Sequence, residues 1–229
     1  MGTKRIQGII FDLDGTLYQM KFMKLKMTLQ LLTSLVFLRK LSMARSALRH
    51  RHFENQEQLQ REFHHRLAGL TGRSVDDARR WYEGDFYTAF IRILKKYAKT
   101  RTGLVPMLER LNERGVKLAV VSDFGWVPQR LDALGVNHEL FDIVKCSEET
   151  GELKPGATPF TSVAEGWNLT PGQVMVVGDR ADTDKAGAKR AGMRFLGVTD
   201  NPKAHADFYC WNDAMKIIEE TTTNCGVNV

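Results

Sequence analysis

The 229-residue sequence predicts an α/β fold, a parallel sheet of about five strands split after its first strand by an α-helical insertion. Three observations carry the prediction. Short apolar runs recur along the chain and, from about residue 101 onward, alternate with stretches of helical periodicity. The runs are near-continuous rather than alternating in polarity, as strands covered on both faces require. Residues 18 to about 100 break the rhythm, with several helical patterns and no clear strand signal.

Taken in order, GIIFD (8–12) is the first strand and leads into DLDGT. The insertion follows, with amphipathic patterns such as LQREFHHRLAGL and ARRWYEGDFYTAFIRILKKY. Within it TGRSVDDA marks a helix start, with Ser74 as N-cap and Asp77 three residues on as box partner. LVPMLERLNERG repeats leucine at 104, 108 and 111 and stops on Gly115, a helix that delivers the chain to the second strand, VKLAVVS (116–122). DIVKCS (142–147) and QVMVVGD (173–179) are the third and fourth strands. TDKAGAKRAG reads as a helix stopped by Gly192, and RFLGVT (194–199) is the fifth strand. The expected division is a discontinuous core of residues 1–17 and 101–229 with a second unit of residues 18–100.

Hydrophobic residues make up 43% of the chain and charged residues 26%, which suits a packed soluble domain. Cys146, Cys210 and Cys225 match neither a disulfide framework nor a paired-cysteine metal site. MGTKRIQGII lacks a secretory leader, and Ile6 breaks a myristoylation motif. The longest apolar stretch, LQLLTSLVFL (29–38), is about half a membrane span, so no transmembrane segment is expected and the location is cytoplasmic.

Charge is uneven: residues 18–100 hold 17 Lys and Arg against 7 Asp and Glu, and the remainder 16 against 20. Most of these cations read as solvated helix faces, with no nucleic acid expected as partner. The exception is RKLSMARSALRHRH (39–52), where Arg39, Lys40, Arg45, Arg49 and Arg51 crowd a segment open to a membrane surface or an acidic partner. The neighbouring Leu31, Leu32, Leu35, Val36 and Leu38 are expected in the core. His64 and His65 have no metal-binding array nearby and are expected at surface or packing positions.

In open parallel sheets ligands bind at the carboxyl ends of the strands. Asp-Gly after an apolar run is also ordinary turn chemistry, so Asp12 and Asp14 alone decide little. The second strand, however, ends in Ser122 and Asp123, and the fourth in Asp179 followed by Asp182 and Asp184. Lys154 follows the third, held extended by Pro155. Carboxylates, a hydroxyl and an ammonium from four strand ends point to a metal and phosphate site.

DLDGT at 12–16, VVSD at 120–123, LKP at 153–155 and GDRADTD at 178–184 resemble, in order, the four motifs of the haloacid dehalogenase superfamily of phosphohydrolases, in its phosphoglycolate phosphatase-like branch. The resemblance implies a Rossmann-like three-layer core with a helical cap between the first and second motifs. It also implies a phosphatase acting on a small phosphate monoester. Asp12 would be the nucleophile that forms an aspartyl phosphate, and Asp14 the acid and base. Mg²⁺ would take the Asp12 carboxylate, the Asp14 backbone carbonyl and the Asp179 carboxylate. Lys154 would neutralise the phosphoryl group, with Ser122 donating to it, while Asp123, where the family often has Asn, would either shape the substrate pocket or bind the neighbouring backbone. Thr16 would secure the first turn.

The fourth motif leaves two acids open: Asp184 as the group behind the metal or Lys154, or Asp182, which also reads as a helix cap. Trp126 lines the entrance or simply packs. A sugar phosphomutase would use the same intermediate, and a binding or scaffold protein would use the basic insertion to dock. Dehalogenation fits poorly, since that branch needs no Mg²⁺ and matches badly at Asp14. The expected partner is a small phosphorylated metabolite, and the chain a monomer or homodimer.

Overall fold

A computed structural model describes residues 5–19, 26–27, 35–201 and 207–223. Its centre is a six-stranded sheet, β1 (Gly8–Phe11), β2 (Lys117–Ser122), β3 (Ile143–Cys146), β4 (Val174–Gly178), β5 (Arg194–Val198) and β6 (Phe208–Tyr209), in spatial order β3-β2-β1-β4-β5-β6. Every neighbouring pair is parallel. The expectation of about five strands misses β6, because a two-residue edge strand is too short to leave an apolar run.

Alternation along the strands sorts the core into two faces. Ile9 and Phe11 of β1, Leu118 and Val120 of β2, and Met175 and Val177 of β4 share one cluster with Leu104, Met107 and Leu108 of α5 (Leu104–Glu113). Trp211 and Ile218 of α9 (Trp211–Thr223) belong to the same cluster. Ile10, Ala119, Val121, Val174 and Val176 face the other way, against Phe160 and Val163 of α7 (Thr158–Gly166) and Ala188 of α8 (Ala186–Arg190). The three-layer arrangement follows from that split. Phe11 pairs with Val120 on one side and Val177 on the other, so β1, β2 and β4 end nearly flush. The residues just past those ends are therefore brought together.

Between β1 and β2 the described chain forms α1 (Leu35–Ser46), α2 (Gln56–Thr71), α3 (Val75–Arg80), a π-helical turn (Trp81–Phe86) and α4 (Tyr87–Tyr97). Ser74 caps α3 by accepting from the Asp77 amide at 3.1 Å. The Asp77 carboxylate answers through the Ser74 hydroxyl at 2.7 Å rather than through the Ser74 amide of a capping box. The stretch 78–97 is not one regular helix. The π turn packs Trp81, Tyr82 and Phe86 inward, with Tyr87 immediately after it. TDKAGAKRAG is likewise split into a π turn (Ala181–Lys185) and the short α8.

The basic segment 39–52 is largely turned onto the rest of the chain rather than left free. Arg45 is 5% exposed and donates to Glu148 Oε1 at 2.5 Å, to Tyr82 Oη at 3.1 Å and to the Asp123 carbonyl. Arg49 lies 3.5 Å from Asp182, and Arg51 pairs with Glu62 at 2.9 Å. The Phe53 amide then donates to the Gly151 carbonyl at 2.9 Å, fastening the end of the segment. Leu38 packs against the core as expected. Leu31, Leu32, Cys225 and the side chains of Leu35 and Val36 lie outside the described residues. No described helix is long and apolar enough to cross a membrane.

Candidate active site

The Asp12 amide donates to the Val177 carbonyl at 2.9 Å, carrying the ladder one residue past β1 and setting the side chain between β2 and β4. Lys154 Nζ lies 2.7 Å from Asp12 Oδ1 and 2.8 Å from Asp184 Oδ1, and Thr16 Oγ1 donates to Asp12 Oδ2 at 2.9 Å. Thr16 thus binds the carboxylate itself. Asp123 Oδ1 accepts from the Lys154 amide at 3.1 Å and from Ser147 Oγ at 2.7 Å, so it braces the lysine loop. Gly15 makes the turn between the two first-motif acids at φ +91°, and a side-chain carbon there would sit 2.1 Å from Asp179 Oδ2. Only glycine allows the loops to close this far.

Asp12, Asp179 and Asp184 present carboxylate oxygens within 4.8 Å of one another. Burial, opposed by Lys154 and reinforced by the other acids, holds the Asp12 carboxyl well above its usual range. Burial and the Asp184 charge push Asp179 up to about 7. Burial works against the Lys154 ammonium, yet Asp12 and Asp184 hold its pKa above the ordinary lysine value. Asp179 Oδ1 is buried without a hydrogen-bond partner. Clustered hard oxygen donors, one of them unpaired, fit a hard divalent cation. Asp184 therefore joins the expected donors Asp12 and Asp179, as a third carboxylate also bound to Lys154.

Asp14 is held differently. Its Oδ1 accepts from Tyr18 Oη at 2.5 Å, its Oδ2 from Ser122 Oγ at 3.3 Å, and both oxygens from the Arg130 guanidinium. Burial would raise its pKa, but the Arg130 charge and hydrogen bonds hold it below the ordinary value. Ser122, expected to face phosphate, here also accepts from Arg130 at 3.1 Å and from the Phe124 amide at 3.2 Å. Arg130 escapes the sequence reading, although one signal was available. It shares the i, i+3, i+4 buried stripe of α6 (Val127–Ala133) with Val127 and Leu131, a charge on an apolar face.

Of the two acids left open in the fourth motif, Asp184 is buried against Lys154 and also accepts from the Arg180 amide at 3.2 Å. Asp182 is exposed and paired with Arg180 at 2.5 Å. It is not a helix cap, since the π turn begins after Arg180 with no side-chain cap. Trp126 is half exposed and stacks on Tyr87, with ring centroids 5.3 Å apart and 8° between planes. His64 is buried against Phe63 and Tyr82, and His65 is exposed.

A family model described as haloacid dehalogenase-like hydrolase matches residues 6–192. The chain is 38% identical over 99 residues to a glyceraldehyde 3-phosphate phosphatase of Methanopyrus kandleri, covering 42% of each protein. It is 34% identical over 88 residues to a ribulose-1,5-bisphosphate 5-phosphatase of Halopiger xanaduensis, covering 38% of this chain and 36% of that protein. The chain thus spans less than half the length of these two curated relatives. Among solved structures, a hydrolase from Bacillus subtilis bound to magnesium superposes with a TM-score of 0.65 at 17% identity, over 94% of this chain and 100% of that one. At that identity the likeness speaks for the fold.

Proposed function

The chain belongs to the haloacid dehalogenase-like hydrolase family, and from that membership we propose that it is a Mg²⁺-dependent phosphatase that cleaves a small phosphate monoester. One observation carries the reading. The Asp12 carboxylate lies in a buried pocket with Lys154 on one oxygen and Thr16 on the other, beside an Asp179 oxygen that has no partner.

In this reading Asp12 attacks phosphorus, an aspartyl phosphate forms, and the ester P–O bond breaks. Asp14, ionised beside Arg130, relays the proton of a monoanionic ester to the departing alkoxide, then takes one from the water that releases phosphate and frees Asp12. Lys154 offsets the negative charge that would otherwise repel nucleophile from phosphate, and Asp184 holds the lysine in place. Asp12 and Asp179, with the Asp14 carbonyl and Asp184 as further oxygens, would hold Mg²⁺, which when bound would supply charge neutralisation. Residues 18–100 act as the cap that selects the substrate over a core of 1–17 and 101–229. The relatives' names, phosphatases of glyceraldehyde 3-phosphate and ribulose-1,5-bisphosphate, favour a phosphorylated sugar or a short-chain relative of one.

Hydrolysis of p-nitrophenyl phosphate and of a panel of sugar phosphates tests the proposal. The expected result is Mg²⁺-dependent release of phosphate that falls to background with a chelator and in Asp12→Asn. Turnover that survives both treatments sinks it.

A further inference from the structure

We propose that Arg130 is a positioning residue for Asp14, a permanent clamp on the carboxylate, while Tyr18 and Ser122 are the contacts that give way to substrate and water. The inference rests on the phosphatase reading above. Arg130 has no solvent exposure, and its guanidinium reaches both Asp14 oxygens from α6. The same group donates to Ser122 Oγ at 3.1 Å and to the Phe124 carbonyl at 2.9 Å, with the Phe90 ring 4.6 Å away. A single buried side chain therefore ties the acid of the first motif to the loop of the second.

A carboxylate offers about four lone-pair sites, and Asp14 accepts four contacts from three donors: Arg130 Nη2 on both oxygens, Tyr18 at Oδ1 and Ser122 at Oδ2. A leaving oxygen, or the later water, reaches Asp14 only when one donor withdraws. The donors are unequal. Losing Arg130 would strand a charge in the interior, whereas Tyr18 and Ser122 are neutral hydroxyls whose bonds are weaker. The hydroxyls should yield first. Tyr18 lies where the insertion begins, its backbone bridged to Thr100 where the chain returns from it. The two ends of the guanidinium divide the work, Nη2 on both Asp14 oxygens and Nη1 on Ser122 and the Phe124 carbonyl, and a single ammonium cannot hold both places at once.

The test compares wild type, Arg130→Lys, Asp14→Asn and the double variant for kcat and KM on p-nitrophenyl phosphate and on an alkyl phosphate. Orthovanadate inhibition reports the phosphate pocket, and thermal melting reports the fold. Arg130→Lys should lower kcat about 10- to 100-fold, the range for losing a partner behind a catalytic ligand. KM and vanadate inhibition should stay within about twofold, and in the Asp14→Asn background the same change should cost no more than about twofold. A full penalty in that background, or KM and vanadate constants rising in step with the loss, overturns the role.

A crystal structure of the wild type with vanadate bound needs no folded variant. Arg130 still on both Asp14 oxygens, with Tyr18 or Ser122 displaced, supports the clamp, and Arg130 detached from Asp14 overturns it. A wild type that hydrolyses no phosphate ester overturns the phosphatase reading and this role with it. An active wild type that fails either comparison overturns Arg130 alone.

Discussion

The turn residue Gly15 shows how closely the loops are fitted around the candidate nucleophile. Its positive φ is a conformation that a residue with a Cβ adopts only at a cost, and the Cβ would meet the Asp179 carboxylate head on. Gly15→Ala should therefore displace Asp179 by a sizeable fraction of an ångström and lower kcat at least about 10²-fold while the protein still folds. Circular dichroism and phosphatase assays check both halves, and wild-type turnover in a folded Gly15→Ala protein rules the fit out. Asp12 and Asp179 were legible because each stands just past an apolar strand run, and Lys154 because LKP follows the third run in motif order. Arg130 was not, because it meets Asp14 across 116 positions and no local pattern encodes that pairing. Asp182 and Asp184 stand two residues apart, and only the fold decides which of them reaches Lys154.

Among the helical elements, periodicity located the insertion but not its π turn, because one extra residue in a turn shifts the buried face without changing composition. That shift sets Tyr82 against Phe63 and His64 of α2, with ring centroids 4.7 and 6.0 Å away. His64 Nε2 is buried without a hydrogen bond, and the Glu83 carboxylate is 3.8 Å away. Burial lowers the His64 pKa below its ordinary 6.5, with Arg79 and His65 adding to that and Glu83 and Glu148 opposing it. A histidine depressed by folding binds its proton more readily when unfolded. Its contribution to stability is complete above about pH 6.5 and is lost as pH falls through the lower folded value. Urea midpoints should therefore fall on acidification below pH 6.5, and less steeply in His64→Phe. Equal slopes in the two proteins would remove His64 from the account.

The whole molecule brings three acids together beyond the ends of strands that its own packing forces into register, and among the described residues one lysine is buried with them. The two-faced apolar pattern of the strands made the sheet and the location of this cluster readable from sequence. The seating of residues 39–52 was not readable, since a basic helix looks the same whether its arginines meet solvent or Glu148 and Asp182. A protein built this way holds repulsion that a divalent cation relieves, and a ligand that binds only the folded state stabilises it by mass action. At 100 times its dissociation constant Mg²⁺ should add about 2.7 kcal/mol. That corresponds to roughly 5–10 °C in melting temperature for a chain of this length. Asp179→Asn should abolish the shift, and in metal-free buffer it should melt no lower than wild type, because it removes one of the repelling charges and keeps the side chain's shape. Differential scanning calorimetry with and without Mg²⁺ makes the comparison. A wild type whose melting ignores the cation, or an Asp179→Asn protein that responds as wild type does, would show that these carboxylates hold no metal. The sign of the metal-free difference then says whether Lys154 alone is enough to balance them.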